Sequence, residues 1–266
     1  MKVHALLYHD VLEAGDPDDS GLTGAGARVY KLDASHFRDH LDAIARRVSS
    51  PPLRAPDILG SSAPLTGWIL TFDDGGLSAL RPTAHLLDER GWTGHFFVTA
   101  GRIGTPGFLT EAGIRELAAR GHLVGSHSWS HPARFSTLTP ERMRDEWERS
   151  VGRIASIIGQ PVLTASVPGG YYSPAVAEAA ASAGVRLLFN SEPVSRPARR
   201  FGCLVLGRFA ITRATTPRLA ARLAAGDTPP RAAQWLGWNG RKALKRIGGD
   251  LYITAREAVL ARRRHA

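Results

Sequence analysis

Apolar residues run through the 266-residue chain in two alternating rhythms. Short, nearly continuous apolar runs predict buried strands at 3–8, 68–72, 94–99, 122–126, 162–167, 185–189 and 204–211. Between them apolar residues recur every three or four positions, the period of a helix packed on one face. Residues 36–48 place Phe37, Leu41, Ile44 and Val48 on one side. Residues 79–90, 110–120, 174–183 and 216–225 read as further helices. The longest helix, 139–158, opens with Thr139 and Pro140 and turns Met143, Trp147, Val151, Ile154 and Ile158 inward. Two stretches break the rhythm: a Gly/Asp-rich one at 13–30 and a Pro/Ser-rich one at 49–66, both read as surface loops.

Repeated strand–helix alternation predicts an α/β fold with a parallel sheet and helices outside. About seven such units in one domain suggest a distorted (β/α) barrel rather than an open sheet. The expected division is a catalytic domain over 1–228 and a basic, amphipathic helical tail over 229–266.

The polar residues that follow these strands are the informative ones. His9 follows the first. Asp73 and Asp74 follow the second, inside TFDDGG, and His127 and His131 follow the fourth, inside HSWSH. Pro168, Gly169 and Gly170 follow the fifth. In a barrel of parallel strands these ends share one rim, where active sites sit.

Two adjacent carboxylates at the end of a buried strand repel each other, and burying them is costly without partners. Two imidazoles four residues apart on a helical turn suit a divalent metal, and two histidines plus one carboxylate form a hydrolytic zinc arrangement. One carboxylate would then join the metal and the other would stay free as a base towards water. A turn in solvent is the plainer reading of either string taken alone.

TFDDG at 71–75 and His127-Ser128-Trp129-Ser130-His131 together resemble the first two motifs of the polysaccharide deacetylases of the NodB-homology type, carbohydrate esterase family 4. The resemblance covers roughly residues 3–212, including a first strand that ends in Tyr-His, as in one branch of the family. It implies a barrel of about seven strands and metal-dependent removal of N-acetyl groups from an amino-sugar glycan. It implies Asp73 as the base. Asp74, His127 and His131 would be ligands of a divalent metal, usually Zn2+. The third motif falls on Ser166-Val167-Pro168-Gly169-Gly170, with the Gly169 N–H as an oxyanion donor.

The sequence departs from the family pattern in three places. Ser166 stands where an arginine normally pairs with the base, and Gly169 replaces an aromatic residue. Leu206-Gly207-Arg208 stands where Leu-x-His would supply the acid. His9 is therefore the candidate acid, or else a histidine packing a strand end. Arg208 is the candidate substitute for the arginine, or else a structural ion pair. Trp129, Tyr171 and Tyr172 could stack on sugar rings or pack the barrel mouth. These departures also admit a catalytically silent glycan-binding protein, and the same site could hydrolyse a non-sugar C–N bond.

Charge adds one element. The formal net charge is +10, and residues 231–266 hold nine Lys/Arg against Asp250 and Glu257, interleaved with Trp235, Leu236 and Trp238. This pattern suits an anionic surface such as lipid headgroups, or a solvated helical face. Nucleic acid has only charge in its favour and is not expected. With no signal-peptide pattern at the N-terminus, the expected compartment is the cytoplasm, with the tail as a candidate contact at the inner membrane face. The single cysteine, Cys203, lies in an apolar run and reads as core.

Overall fold

The computed structural model describes residues 1–13, 15–63 and 65–240. Nine strands form one sheet: β1 (Lys2–Tyr8), β2 (Thr66–Phe72), β3 (Gly94–Val98), β4 (Leu123–Ser126), β5 (Thr164–Ser166), β6 (Leu187–Phe189), β7 (Ala198–Arg200), β8 (Cys203–Leu206) and β9 (Arg208–Ala210). The order is β9-β1-β2-β3-β4-β5-β6-β8-β7, and every neighbouring pair is parallel except β8 with β7. The two ends of the parallel ladder meet in one stretch of chain. Residues 203–206 pair with β6, and residues 208–210, one residue further on, pair with β1. Counting that broken strand once gives seven positions around an α/β barrel.

Strand parity builds the core, because alternate side chains face opposite sides. Val3, Ala5, Ile69, Phe97, Leu187, Phe189, Leu204 and Leu206 form an inner cluster. Ala55 and Ile58 join it from a short helix, Ala55–Gly60, inside the stretch expected to be loop. The other parity, including Leu6, Tyr8, Leu70, Phe72 and Phe96, meets the helices outside.

Those helices are α1 (Ala34–Arg47), α2 (Glu111–Ala119), α3 (Pro140–Ile158), α4 (Pro174–Ser182) and α5 (Pro217–Ala224). Thr110 and Thr139 cap α2 and α3 by accepting from Gly113 N–H and Arg142 N–H, as their positions predict. The expected continuous helix at 79–90 is interrupted. Arg81, which precedes Pro82, is extended (φ −137°, ψ 124°), and regular helix covers only His85–Asp88. Proline disfavours helical backbone in the residue before it.

Cys203 is buried, and its Sγ donates to the Val185 carbonyl. Residues 228–240 are helical, and this segment meets the barrel through Arg231 Nη1 on Ser195 Oγ (3.0 Å) and Gln234 Nε2 on the Ala210 carbonyl (3.0 Å). The rest of the expected basic tail, 241–266, lies outside the described residues. Among the described residues no helix is long and apolar enough to cross a membrane.

Candidate active site

Inner parity carries β2 from Ile69 through Thr71 to Asp73, and the broken strand from Leu204 through Leu206 to Arg208. The two series converge at the rim. Arg208 is fully buried and grips Asp73 with both arms: Nη1 donates to Oδ1 at 2.7 Å and Nη2 to Oδ2 at 2.8 Å. Its remaining donors are also used. Nε donates to the Asn190 carbonyl (3.0 Å), Nη1 to Thr71 Oγ1 (3.2 Å) and Nη2 to Ser166 Oγ (2.7 Å). The guanidinium lies 5.9 Å from the ring centroids of both Phe97 and Phe189. Ser166, at the position of the absent arginine, donates its hydroxyl to Asp73 Oδ2 (3.0 Å). Burial opposes the charge on Asp73 most strongly. The charges of Arg208 and His127 and the Arg208 hydrogen bonds outweigh it and hold the carboxyl below the usual range.

Asp74 points elsewhere, with backbone in the left-handed region (φ 75°). Its Oδ1 lies 3.4 Å from His127 Nε2 and 3.5 Å from His131 Nε2. The three potential ligand atoms all fall within 4.8 Å of one another. His127 and His131 do not sit on a helical turn, as their spacing suggests. Ser128 (φ 64°) and His131 (φ 56°) are left-handed, and the segment is a loop. Such backbone is costly for residues with side chains and persists where the surroundings enforce it. Three of the four such non-glycine residues described lie in this site.

The donor set fits a divalent ion. His127 Nδ1 must donate to the Ser166 carbonyl (2.9 Å), which in the neutral ring leaves the Nε2 lone pair facing Asp74. Burial opposes a charge on His127, but Asp73 and Asp74 draw a proton to it and raise its pKa; a cation at that point would compete with this proton. Burial, then His127, pushes His131 down to about 4, so it is neutral at pH 7. Burial also opposes the charge on Asp74. The His127 hydrogen bond and the charges of His9, His127 and His131 overcome it and keep the carboxyl below the usual range.

His9 follows β1 on the same rim, close enough for its charge to act on both carboxylates. Its ring lies 4.6 Å from that of Tyr30, and its buried Nδ1 has no hydrogen-bond partner. Gly169 adopts φ 59°, in a turn closed by Gly170 N–H on Val167 and Tyr171 N–H on Pro168; its own N–H is left over from those bonds. A side chain at 169 would meet the Tyr171 ring at 3.1 Å, so this glycine lets Tyr171 lie against the turn. Trp129 is half-buried against the outer core, with the Arg149 guanidinium 4.1 Å above its ring. Arg149 thus covers one face of the ring.

Sequence reasoning missed Glu146, which lies on the buried face of α3 among Met143, Trp147 and Ile154. Its Oε2 accepts from Trp129 N–H (2.9 Å) and Ser130 N–H (2.8 Å), and its Oε1 from Ser130 Oγ (2.6 Å). These bonds pin the loop between the two histidines. The available signal was an acid at an apolar-face position, which demands a partner.

The chain is similar to several known proteins. A chitin deacetylase from Pestalotiopsis sp is 31% identical over 117 residues, 44% of this chain and 38% of that protein. The chain spans less than half the length of the curated relatives it matches. Among solved structures, the Streptococcus pyogenes deacetylase PplD, solved in complex with acetate, superimposes with a TM-score of 0.70 at 18% identity, covering 84% of this chain and 98% of that one. IcaB from Ammonifex degensii gives 0.67 at 23% identity, covering 84% and 97%. At these identities the likeness concerns the fold. The polysaccharide deacetylase family profile matches residues 62–188, just under half of the chain and a segment that contains Asp73, Asp74, His127, His131 and Gly169, and in that segment the chain is similar to the polysaccharide deacetylases.

Proposed function

We propose that this protein is a metal-dependent hydrolase that removes N-acetyl groups from an acetylated amino-sugar glycan or glycoconjugate. The observation that carries the reading is the pairing of two differently held carboxylates: Asp73 locked to Arg208, and Asp74 facing His127 and His131.

Asp74, His127 and His131 would hold the divalent ion, with zinc the best match to two imidazoles and a carboxylate. Bound there, it would supply Lewis-acid polarisation of the amide carbonyl and a lower pKa for water. Asp73 accepts the proton of the attacking water. Its Oδ2 already receives Nη2 and Ser166 Oγ, whereas Oδ1 receives only Nη1, so Oδ1 keeps a lone pair for that proton. The Gly169 N–H donates to the oxygen that gains charge as water adds to the acetyl carbon. His9 delivers a proton to the sugar nitrogen as the C–N bond breaks, giving acetate and a free amine.

The test is acetate release from N-acetylated chito-oligosaccharides by the zinc-loaded protein. Asp73→Asn is expected to lose about 10²–10⁴-fold in kcat, the scale of a lost general base. An Asp73→Asn variant that releases acetate at the wild-type rate overturns the base assignment.

A further inference from the structure

The stretch between His9 and α1 is built more tightly than a surface loop requires. His9 and Asp10 leave β1 side by side with Tyr30 and Lys31, which lead back towards α1. The contacts match residue for residue. The His9 ring lies 4.6 Å from the Tyr30 ring at an interplanar angle of 31°. Lys31 Nζ lies 3.7 Å from Asp10 Oδ2. Leu32 N–H donates to the Asp10 carbonyl at 3.0 Å, and Val11–Leu12 pairs with Leu32–Asp33 in a small parallel ladder.

The Lys31 ammonium is buried, a costly place for a charge unless it is paired and hydrogen-bonded. It is both: it donates to the carbonyls of Pro17 (2.5 Å) and Ser20 and faces the Asp10 carboxylate. Asp10 Oδ1 in turn accepts from Ser20 Oγ (2.7 Å) and Ser78 Oγ (2.6 Å). Ser78 lies just past the TFDDGG turn. The node therefore ties the strand end that carries His9 to the turn that carries Asp73 and Asp74. Gly76 leaves room for it: a Cβ there would stand 2.3 Å from Asp10 Oδ1.

His9 needs such a device. Its buried Nδ1 has no hydrogen-bond partner, so no directional bond fixes its ring plane. A general acid must hold its donor atom within hydrogen-bond reach of the leaving group. We propose that residues 10–13 and 15–33 are a positioning device for the His9 imidazole, in which Tyr30 sets the ring plane and the buried Asp10–Lys31 pair fixes Tyr30. Tyr30 acts through its ring face rather than its hydroxyl. The proposal rests on the reading of His9 as the acid.

The test compares Tyr30→Ala, Tyr30→Phe, His9→Ala and the His9→Ala/Tyr30→Ala double variant. Acetate release from an N-acetylated chito-oligosaccharide is followed with zinc-loaded full-length protein, and the histidine ring-proton shifts are recorded by NMR. Tyr30→Ala is expected to lower kcat about 10–100-fold, the scale of a lost orientation, with KM within about 2-fold. Tyr30→Phe should restore the wild-type rate. The double variant should be no slower than His9→Ala, and Tyr30→Ala alone should move the His9 ring protons.

An unchanged kcat in Tyr30→Ala, beside a slow His9→Ala, overturns the positioning role and leaves the acid assignment standing. A further loss in the double variant overturns it as well. A wild-type rate in His9→Ala overturns the acid assignment and the positioning role together. If the wild-type protein shows no turnover, the reaction fails and the positioning role fails with it.

Discussion

Asp73 and His9, the proposed base and acid, lie on the same rim and are held in opposite ways. Asp73 receives both arms of a buried arginine and a serine hydroxyl, all at 2.7–3.0 Å. His9 has a ring contact on Tyr30 and an unpartnered Nδ1. Hydrogen bonds are directional and charge-assisted ones are strong, so Asp73, the proposed base, is fixed in position and in ionisation together. Packing fixes a ring plane and leaves the protonation state free to change. In the proposed reaction the base must start ionised before it takes the proton of water, which a counter-charge secures, and the acid must have its ring aimed at the leaving nitrogen, which packing supplies.

The sharpest way to break the contrast is to remove Arg208. Arg208→Met leaves Asp73 buried without its counter-charge, and breaking a buried pair from one side costs about 3–5 kcal/mol. The expected result is a large loss of stability in urea unfolding together with loss of acetate release. Arg208→Lys keeps the charge but not the fork, so activity should fall about tenfold or more with a smaller stability loss. His9→Ala is the mirror case: acetate release should fall about 10²-fold or more while unfolding barely shifts, because no hydrogen bond to Nδ1 is lost. An Arg208→Met protein of wild-type stability, or a strongly destabilised His9→Ala, would erase the distinction.

A second prediction concerns the loop that carries the two histidines. Glu146 accepts three hydrogen bonds from Trp129 and Ser130, between His127 and His131. Glu146→Gln can accept at only one oxygen, so part of that loop is released. Loss of support behind ligands typically costs 10–100-fold in metal affinity. Zinc titration of Glu146→Gln should show a loss of that order, and equal affinity would mean that the loop holds its shape unaided.

How much of this was legible in the sequence depends on periodicity. The seven strand positions carry clear apolar runs, and their parity continues into the site. Ile69, Thr71 and Asp73 share a face, as do Leu204, Leu206 and Arg208, so a reader of alternation can bring Arg208 towards Asp73. Glu146 left only the trace of an acid on the apolar face of a helix, and Tyr30 and Lys31 left none. Lys31 is buried and Tyr30 half-buried against partners distant in sequence, and a Gly/Asp-rich stretch reads as solvent-facing whether or not a buried lysine holds it together. The interrupted helix at 79–90 was legible in principle, since Pro82 restricts Arg81. The loop conformation of HSWSH was not, because the left-handed backbone at Ser128 and His131 is imposed by surroundings that spacing does not record.

The smallest expected effect sets the site against the rest of the core. Burial pushes His4, His40 and His95 each down to about 4, and His95 shows why. Its Nδ1 lies 3.1 Å from the Leu70 carbonyl and must donate to it, while Nε2 accepts from Ala55 N–H at 3.0 Å. Both bonds coexist only in the neutral ring, and the second holds the short helix that closes the inner cluster. Unfolded, these histidines titrate near 6.5. Between about 6.5 and 4 the unfolded chain therefore binds protons that the folded protein refuses, and stability falls as the pH drops through that window. Above it their contribution is complete. His127 shifts the other way, drawn upward by Asp73 and Asp74, so it opposes that fall. Urea midpoints measured from pH 7 to 5 should decline. They should decline more steeply with zinc bound, because the ion displaces the proton on His127 and removes its opposing effect. A midpoint that stays flat with and without zinc would contradict the neutrality of the buried histidines and the proton–metal competition at His127 at once.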